Sequence, residues 1–168
     1  MKNICLYFQV HHPFSFQTFR YFDVGESKSY YDEWRIEREI RDAATNYYLP
    51  TNNYFLKLIH KHKGILKLSI NISGSALDQF LIYSPELLSS FRQLADTGQV
   101  EFTGSTNSNS IISISDKKNE FLQNIVKNQE RTDYYFGQKP KVFVNTDLLF
   151  NNQIAETVAE AGYPAILT

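Results

Sequence analysis

Residues 65–73 read Ile-Leu-Lys-Leu-Ser-Ile-Asn-Ile-Ser, and after Ile65 apolar and polar side chains alternate along the stretch. Such alternation predicts a β-strand whose two faces meet different surroundings. A parallel strand that is covered by helices on both faces would be apolar throughout. In a closed barrel, one face packs against outer helices and the other faces the interior and the mouth. The stretch therefore favours a barrel over a doubly wound sheet.

Outward from this strand, short apolar stretches alternate with longer helical ones. The predicted strands are 4–10, 65–72, 100–104, 141–145 and 165–167, and the predicted helices are 33–47, 52–62, 84–96, 117–136 and 153–161. Because each helix leads into a strand, the sheet should be parallel with right-handed crossovers. The prediction is an α/β fold, an incomplete barrel of about five parallel strands with outer helices, and no second domain.

The fourth predicted strand shows how faces are assigned. Val142 and Val144 share one face, while Phe143, Asn145 and Asp147 share the other. The second face becomes polar towards the carboxyl end of the strand, as the mouth of a barrel requires. The valines are therefore predicted to face the outer helices.

Composition restricts the partners and the compartment. The 168 residues carry a net charge of −1 without a stripe of Lys and Arg, which argues against nucleic acid and anionic membranes. Cys5 is the single cysteine of the sequence, which excludes an internal disulfide and fits a reducing compartment. The amino-terminal apolar run is too short for a signal peptide or a membrane span, so a cytoplasmic location is expected. Aromatic residues make up 15% of the chain, which fits a sugar-binding cleft but is better explained by an aromatic core.

Polar residues follow the ends of four predicted strands, in segments 11–13, 73–80, 105–109 and 145–147. Since the carboxyl ends of parallel strands meet at one mouth, these segments predict the rim of a single site. Each residue also has a simpler interpretation. Asp78 and Asp147 are suited to capping local turns, and His11 to a hydrogen-bonded position in the wall.

Eight stretches resemble glycoside hydrolase family 57, the α-amylase-like branch. They are 8–14 (Phe-Gln-Val-His-His-Pro-Phe), 21–25, 48–50, 72–80, 94–98, 100–102, 139–143 and 145–148, in order and with natural spacing. The resemblance implies a (β/α)7-type barrel acting on α-glucans or maltooligosaccharides, with retention of configuration through two carboxylates and no metal or organic cofactor. It identifies residues 1–168 as the N-terminal portion of that barrel, with Asp147 at the nucleophile position and His11, Asp78 and Asn145 as substrate-binding residues.

The chain departs from the family pattern at several of these positions. His12 stands where the family's His-Gln-Pro motif has Gln, and Asp78 where its second motif usually has Glu. Ser105 and Asn109 replace a Glu and a His after the third strand. Asp147 replaces the nucleophile Glu of an Asn-Thr-Glu motif.

These departures predict weak or absent catalysis by the isolated chain. A retaining pair needs its carboxyl groups about 5–5.5 Å apart. Asp withdraws the carboxylate by ~1.5 Å relative to Glu, and a misplacement of about 1 Å already costs roughly a hundredfold in rate. The family's acid/base lies on a later strand, beyond Thr168, and Glu101 is expected at the wrong end of its strand.

Three functions therefore stay open. The first is an N-terminal part of an α-amylase or 4-α-glucanotransferase that needs a complementary C-terminal chain or a homo-oligomer. The second is a pseudoenzyme that binds a glucan or a partner without turnover. The third, a metal-dependent polysaccharide deacetylase, is disfavoured because His11 and His12 are adjacent and would point to opposite faces of a strand.

Overall fold

The computed structural model describes residues 4–25, 29–62 and 65–168. Within them, the strands are β1 (Tyr7–Val10), β2 (Leu68–Ile72), β3 (Val100–Thr103), β4 (Val142–Val144) and β5 (Ala165–Leu167). The pairings between these strands are parallel and follow chain order, β1 with β2, β2 with β3, and β4 with β5. A parallel bridge between Gly104 and Phe143 joins β3 to β4. The predicted α/β class and parallel sheet are confirmed.

The helices are α1 (Glu33–Ala43), α2 (Leu49–His62), α3 (Gly74–Tyr83), α4 (Pro85–Asp96), α5 (Lys118–Phe136) and α6 (Asn152–Glu160). Short 3₁₀ turns lie at Tyr21–Asp23, Ile112–Ile114 and Thr146–Leu148. No helix in the described ranges is long and apolar enough to cross a membrane.

The break that we predicted between the first two helices is wrong. A π-helical segment, Ala44–Tyr48, leads directly from α1 into α2. Pro50 lies in the first turn of α2, where it lacks the N–H that an α-helix needs for its ladder. A π-helical turn just before such a residue accommodates the missing backbone hydrogen bond, so the helix continues instead of ending.

The buried apolar residues of the described chain form two clusters. The first lies between β1–β3 and α1–α4 and includes Ile70 and Phe80. The second gathers Phe143 of β4 with residues of α5 and α6. Helix α5 contributes to both, because Phe136 at its end stacks on Phe102 of β3 at 4.0 Å while Phe121 at its start belongs to the second cluster.

The prediction of which side chains face the helices is confirmed for β2 and wrong for β4. Leu68, Ile70 and Ile72 are buried against the helices, as expected. In β4, however, Phe143 is the residue that packs on the helices, with its ring 6.2 Å from that of Phe121. The stretch Val-Phe-Val is apolar on both faces, so alternation carries no orientation there, and the largest ring fills the space between sheet and helices.

Candidate active site

The site lies at the carboxyl ends of β1 to β4, where four polar segments meet. Because these strands are parallel neighbours, the segments that follow them leave the sheet at the same edge. The start of α3, directly after β2, packs closely against a side chain of the loop that follows β3. A Cβ on Gly74 would lie 2.7 Å from Cγ of the Asn107 side chain, so glycine at this position leaves room for that side chain in the loop that follows β3.

His11, directly after β1, is tied to the start of α3. Its Nδ1 lies 2.8 Å from Oγ of Ser73, which caps α3 by accepting from the N–H of Ala76 at 3.3 Å. Burial, and secondarily the charge of neighbouring His12, lowers the pKa of His11 below its usual 6.5. The imidazole is therefore neutral at pH 7, which suits a hydrogen-bonding wall residue.

His12 turns to a different partner. Its Nδ1 lies 3.1 Å from Oε1 of fully buried Gln79, whose Nε2 donates back to the carbonyl of His12 at 2.8 Å. The two imidazoles thus have separate partners and do not converge on one position. Within residues 4–25, 29–62 and 65–168, no group of three or more His, Cys, Asp or Glu is placed to hold a metal ion.

Asp78 is occupied by an ion pair. Nη1 of Arg131 on α5 donates to Oδ2 of Asp78 at 2.8 Å and to the carbonyl of Gly74 at 2.8 Å. The pair fastens α3 to α5, so the structure gives this carboxylate a structural role. Its predicted part in binding a substrate stays a prediction.

Asn109 connects three strand ends. It adopts a left-handed backbone with φ of 50°, which asparagine tolerates better than most residues. Its Oδ1 accepts from Nε2 of Gln9 on β1 at 3.1 Å and from Oγ1 of Thr146 after β4 at 3.4 Å. Thr146 also lies 3.2 Å from the hydroxyl of Thr106, which follows β3. A neutral network therefore spans the mouth.

Asn145 and Asp147 follow β4 with opposite exposure. Asn145 is buried, and its Nδ2 donates to Oγ of Ser113 at 2.9 Å and to the carbonyl of Leu149 at 2.8 Å. Asp147 is exposed on a left-handed turn, with φ of 53° for Asp147 and 55° for Leu148. Two successive non-glycine residues in this region cost about 1 kcal/mol or more each. Strain of this kind is concentrated at functional sites.

The sequence missed Arg131 and the bridging role of Gln9. Neither follows a strand end, and the polar helix face that carries Arg131 gives no sign of a partner 53 positions away. Glu101, by contrast, lies at the amino end of the sheet as expected. It lines an open cavity of about 710 Å³ there together with Lys67 and Lys139.

A parallel, chain-ordered sheet with outer helices and a polar edge at the carboxyl ends of its strands is typical of the α/β class to which the barrel folds belong. The profile of Glycosyl hydrolase family 57 matches residues 5–168. The chain belongs to this family, and the resemblance seen in its motifs is confirmed.

Similar proteins agree with this assignment. A Methanocaldococcus jannaschii protein named "Putative alpha-amylase" is 32% identical over 139 residues, which are 82% of this chain and 29% of that protein. The crystal structure of a 4-α-glucanotransferase from Thermococcus litoralis superimposes with a TM-score of 0.70 at 18% identity, over 96% of this chain and 22% of the other. A family 57 branching enzyme from Thermococcus kodakaraensis gives 0.66 at 13% identity, over 96% and 39%. The chain thus spans less than two fifths of each relative.

Proposed function

We propose that this chain forms the amino-terminal part of a (β/α)7-type catalytic barrel of a retaining, α-amylase- or 4-α-glucanotransferase-like protein that acts on α-glucans. The observation that carries the proposal is the placement of Asp147. Its carboxylate is exposed on a strained turn at the mouth, two residues after buried Asn145. A nucleophile needs such access to the anomeric carbon, together with a rigid support.

The other groups at the mouth fit the binding of sugar hydroxyls. Neutral His11 and the amide of Asn109 are partly exposed donors and acceptors without a net charge, and the buried hydroxyls of Thr106 and Thr146 hold Asn109 in place. Such groups orient a polyhydroxylated ligand, while the carboxylate supplies the negative charge that stabilises a developing oxocarbenium ion.

A retaining reaction also requires an acid/base carboxyl about 5–5.5 Å from the nucleophile. Of the carboxylates that follow strands in the described residues, Asp78 is committed to Arg131. We therefore propose that the acid/base comes from outside residues 1–168, from further polypeptide or from a complementary chain or second copy in the cytoplasm. By itself, the chain should bind glucans with little or no turnover.

A non-catalytic glucan-binding protein is the second candidate. It is favoured by the neutral network around Asn109. Acid–base chemistry would be supported by a charged pair at this place, and the network has no charged group. In that case Asp147 would contribute a hydrogen-bond acceptor, and no complementing chain would restore hydrolysis.

The test measures glucan binding and sugar release by the purified chain, with maltoheptaose and soluble starch as ligands. Four proteins are compared: the wild type, Asp147→Asn, Asp147→Glu, and the control Asp42→Asn, which alters an exposed carboxylate on α1. We expect wild-type binding, background-level release and an unchanged control. A wild type that fails to bind either glucan would refute the proposal. Release abolished by Asp147→Asn but not by the control would show a working nucleophile and refute the expected inactivity.

A further inference from the structure

A long excursion between β1 and α1, comprising residues 13–25 and 29–32 and here named the aromatic tongue, is built as a paired structure. Phe16 and Tyr31 form an antiparallel bridge, and the N–H of Gln17 donates to the carbonyl of Tyr30 at 3.0 Å. The tongue leaves the sheet immediately after His12 and returns to the first turn of α1, so it rises from the mouth end of the fold.

Aromatic pairs stiffen the tongue along its length. The ring of Tyr31 lies 5.0 Å from that of Phe14, and the ring of Phe19 lies 4.9 Å from that of Tyr30. Centroid distances in this range are typical of favourable aromatic contacts. These inner rings support the backbone that carries the tip.

The tip presents two rings almost completely to solvent. Tyr21 is 87% and Phe22 86% exposed, and the two rings lie edge to face with centroids 5.5 Å apart. They sit on a 3₁₀ turn that is closed by a hydrogen bond from the N–H of Arg20 to Oδ2 of Asp23 at 3.0 Å. The turn fixes the orientation of the rings, so little conformational entropy is lost when a ligand packs against them.

Exposed rings of this size need an explanation, because each buries roughly 150–250 Å² when covered and clustered exposed apolar surface marks binding sites. Polar side chains interleave with the rings along the tongue, among them Gln17, Thr18 and Arg20. A protein-binding face would be more continuously apolar at its centre. Alternating flat rings and hydrogen-bonding groups instead match a pyranose, which has C–H faces and a periphery of hydroxyls.

We propose that the tip of the aromatic tongue is a second glucan-binding site, where Tyr21 and Phe22 stack on glucose units of an α-glucan chain that extends beyond the mouth. The proposal rests on the proposed function, since it takes the same class of ligand. In this arrangement the tongue binds the glucan chain at a distance from the site, and the rim around Asp147 binds the glucose unit that would react.

Affinity electrophoresis of the purified chain in gels containing glycogen tests this site. The test variant is Tyr21→Ala combined with Phe22→Ala, both almost fully exposed and therefore not needed for folding, which unchanged thermal unfolding would verify. The matched control is Tyr134→Ala, which removes an 80% exposed ring from the far end of α5. That end lies at the amino edge of the sheet, where Gln138 donates to the carbonyl of Val100 at 2.9 Å.

We expect the double variant to bind glycogen about five- to tenfold more weakly than the wild type, the loss typical of a contact ring, and Tyr134→Ala to bind like the wild type. Equal retardation of the wild type and the double variant would overturn the tongue site and leave the proposed function standing. A wild type that glycogen does not retard would overturn the proposed function as well. Weakening by Tyr134→Ala to the same extent would show non-specific ring contacts and overturn the inference.

Discussion

Replacing Gly104 with alanine should break the junction between β3 and β4. A Cβ at this position would lie 2.5 Å from Cζ of Tyr163 and closer still to its hydroxyl oxygen. Tyr163 is 5% exposed and belongs to the second cluster, so its ring has no room to withdraw. Gly104 also carries the junction itself, with its N–H donating to the carbonyl of Val142 at 2.9 Å and its carbonyl accepting from Val144 at 2.8 Å.

The cost follows from these contacts. Overpacking a well-filled core costs about 1–3 kcal/mol, and each weakened backbone hydrogen bond adds about 1 kcal/mol. We expect Gly104→Ala to lower the free energy of unfolding by roughly 2–4 kcal/mol, or the urea midpoint by about 1–2 M at an m-value of ~2 kcal/mol/M. Gly137→Ala is the control. It meets no atom within 4 Å but has φ of 63°, so it should cost only about 1 kcal/mol.

Tyr163→Phe supplies a second, independent readout. The phenol oxygen is buried without a hydrogen-bond partner among the described residues, so its removal should be neutral or stabilising. In the Gly104→Ala background the same change removes the nearest obstacle, and a coupling energy of about 0.5–3 kcal/mol is expected. Urea unfolding followed by circular dichroism measures the wild type, the two single variants, the double variant and the control Gly137→Ala. Additive effects, or a Gly104→Ala cost no larger than that of Gly137→Ala, would refute the steric reasoning.

Three further changes test the mouth and the sheet. Arg131→Met should cost about 1 kcal/mol in urea unfolding, because the partly exposed carboxylate of Asp78 loses its donor; an unchanged midpoint would contradict the structural role of the pair. His11 should titrate below pH 6.5 by NMR, because its pKa is lowered by burial. Below pH 6.5 the unfolded chain therefore binds a proton at His11 more readily than the folded chain does, so the free energy of unfolding falls on acidification through pH 6.5. His11→Gln should make stability less dependent on pH in this range. A titration midpoint of His11 at or above 6.5 would contradict the lowered pKa. Burial raises the pKa of Tyr7 to about 12, so its contribution to stability, present below pH 10, should be lost as the pH rises from 10 to 12. Tyr7→Phe should reduce the alkaline loss of stability, to which Tyr163 also contributes because burial raises its pKa, and an unaltered profile would count against burial of the Tyr7 phenol.

Much of the sheet was predictable because alternation reports the surroundings of each strand face. Residues 65–73 gave both the strand and its buried side, and the polar residues after each strand indicated the edge where the site lies. Alternation fails where both faces are apolar, as in Val-Phe-Val of β4. It also fails for α3, where Gly74 to Leu77 are all buried, so no polar stripe marks a helix and only a short turn was predicted.

The partners at the site were less predictable than its location. Asn145 and Asp147 lie beside one strand end, and sequence adjacency places them at the mouth. The bond between Gln9 and Asn109 depends on two loops meeting across the sheet, 100 positions apart. Likewise, the pairing of Asp78 depends on the reach of Arg131 from another helix. Periodicity describes which way a residue faces, whereas such bonds depend on side-chain length and loop conformation.

Helix α5 belongs to both apolar clusters, and this has a consequence for how the chain opens. Phe121 holds one end in the second cluster and Phe136 holds the other in the first, while Asn128 between them accepts from the N–H of Ser105 at 2.9 Å. In native-state hydrogen exchange, the two clusters would behave as separate foldons only if α5 released one of them. The central amides of α5 should therefore exchange last, through global unfolding, and this helix makes the two halves one cooperative unit.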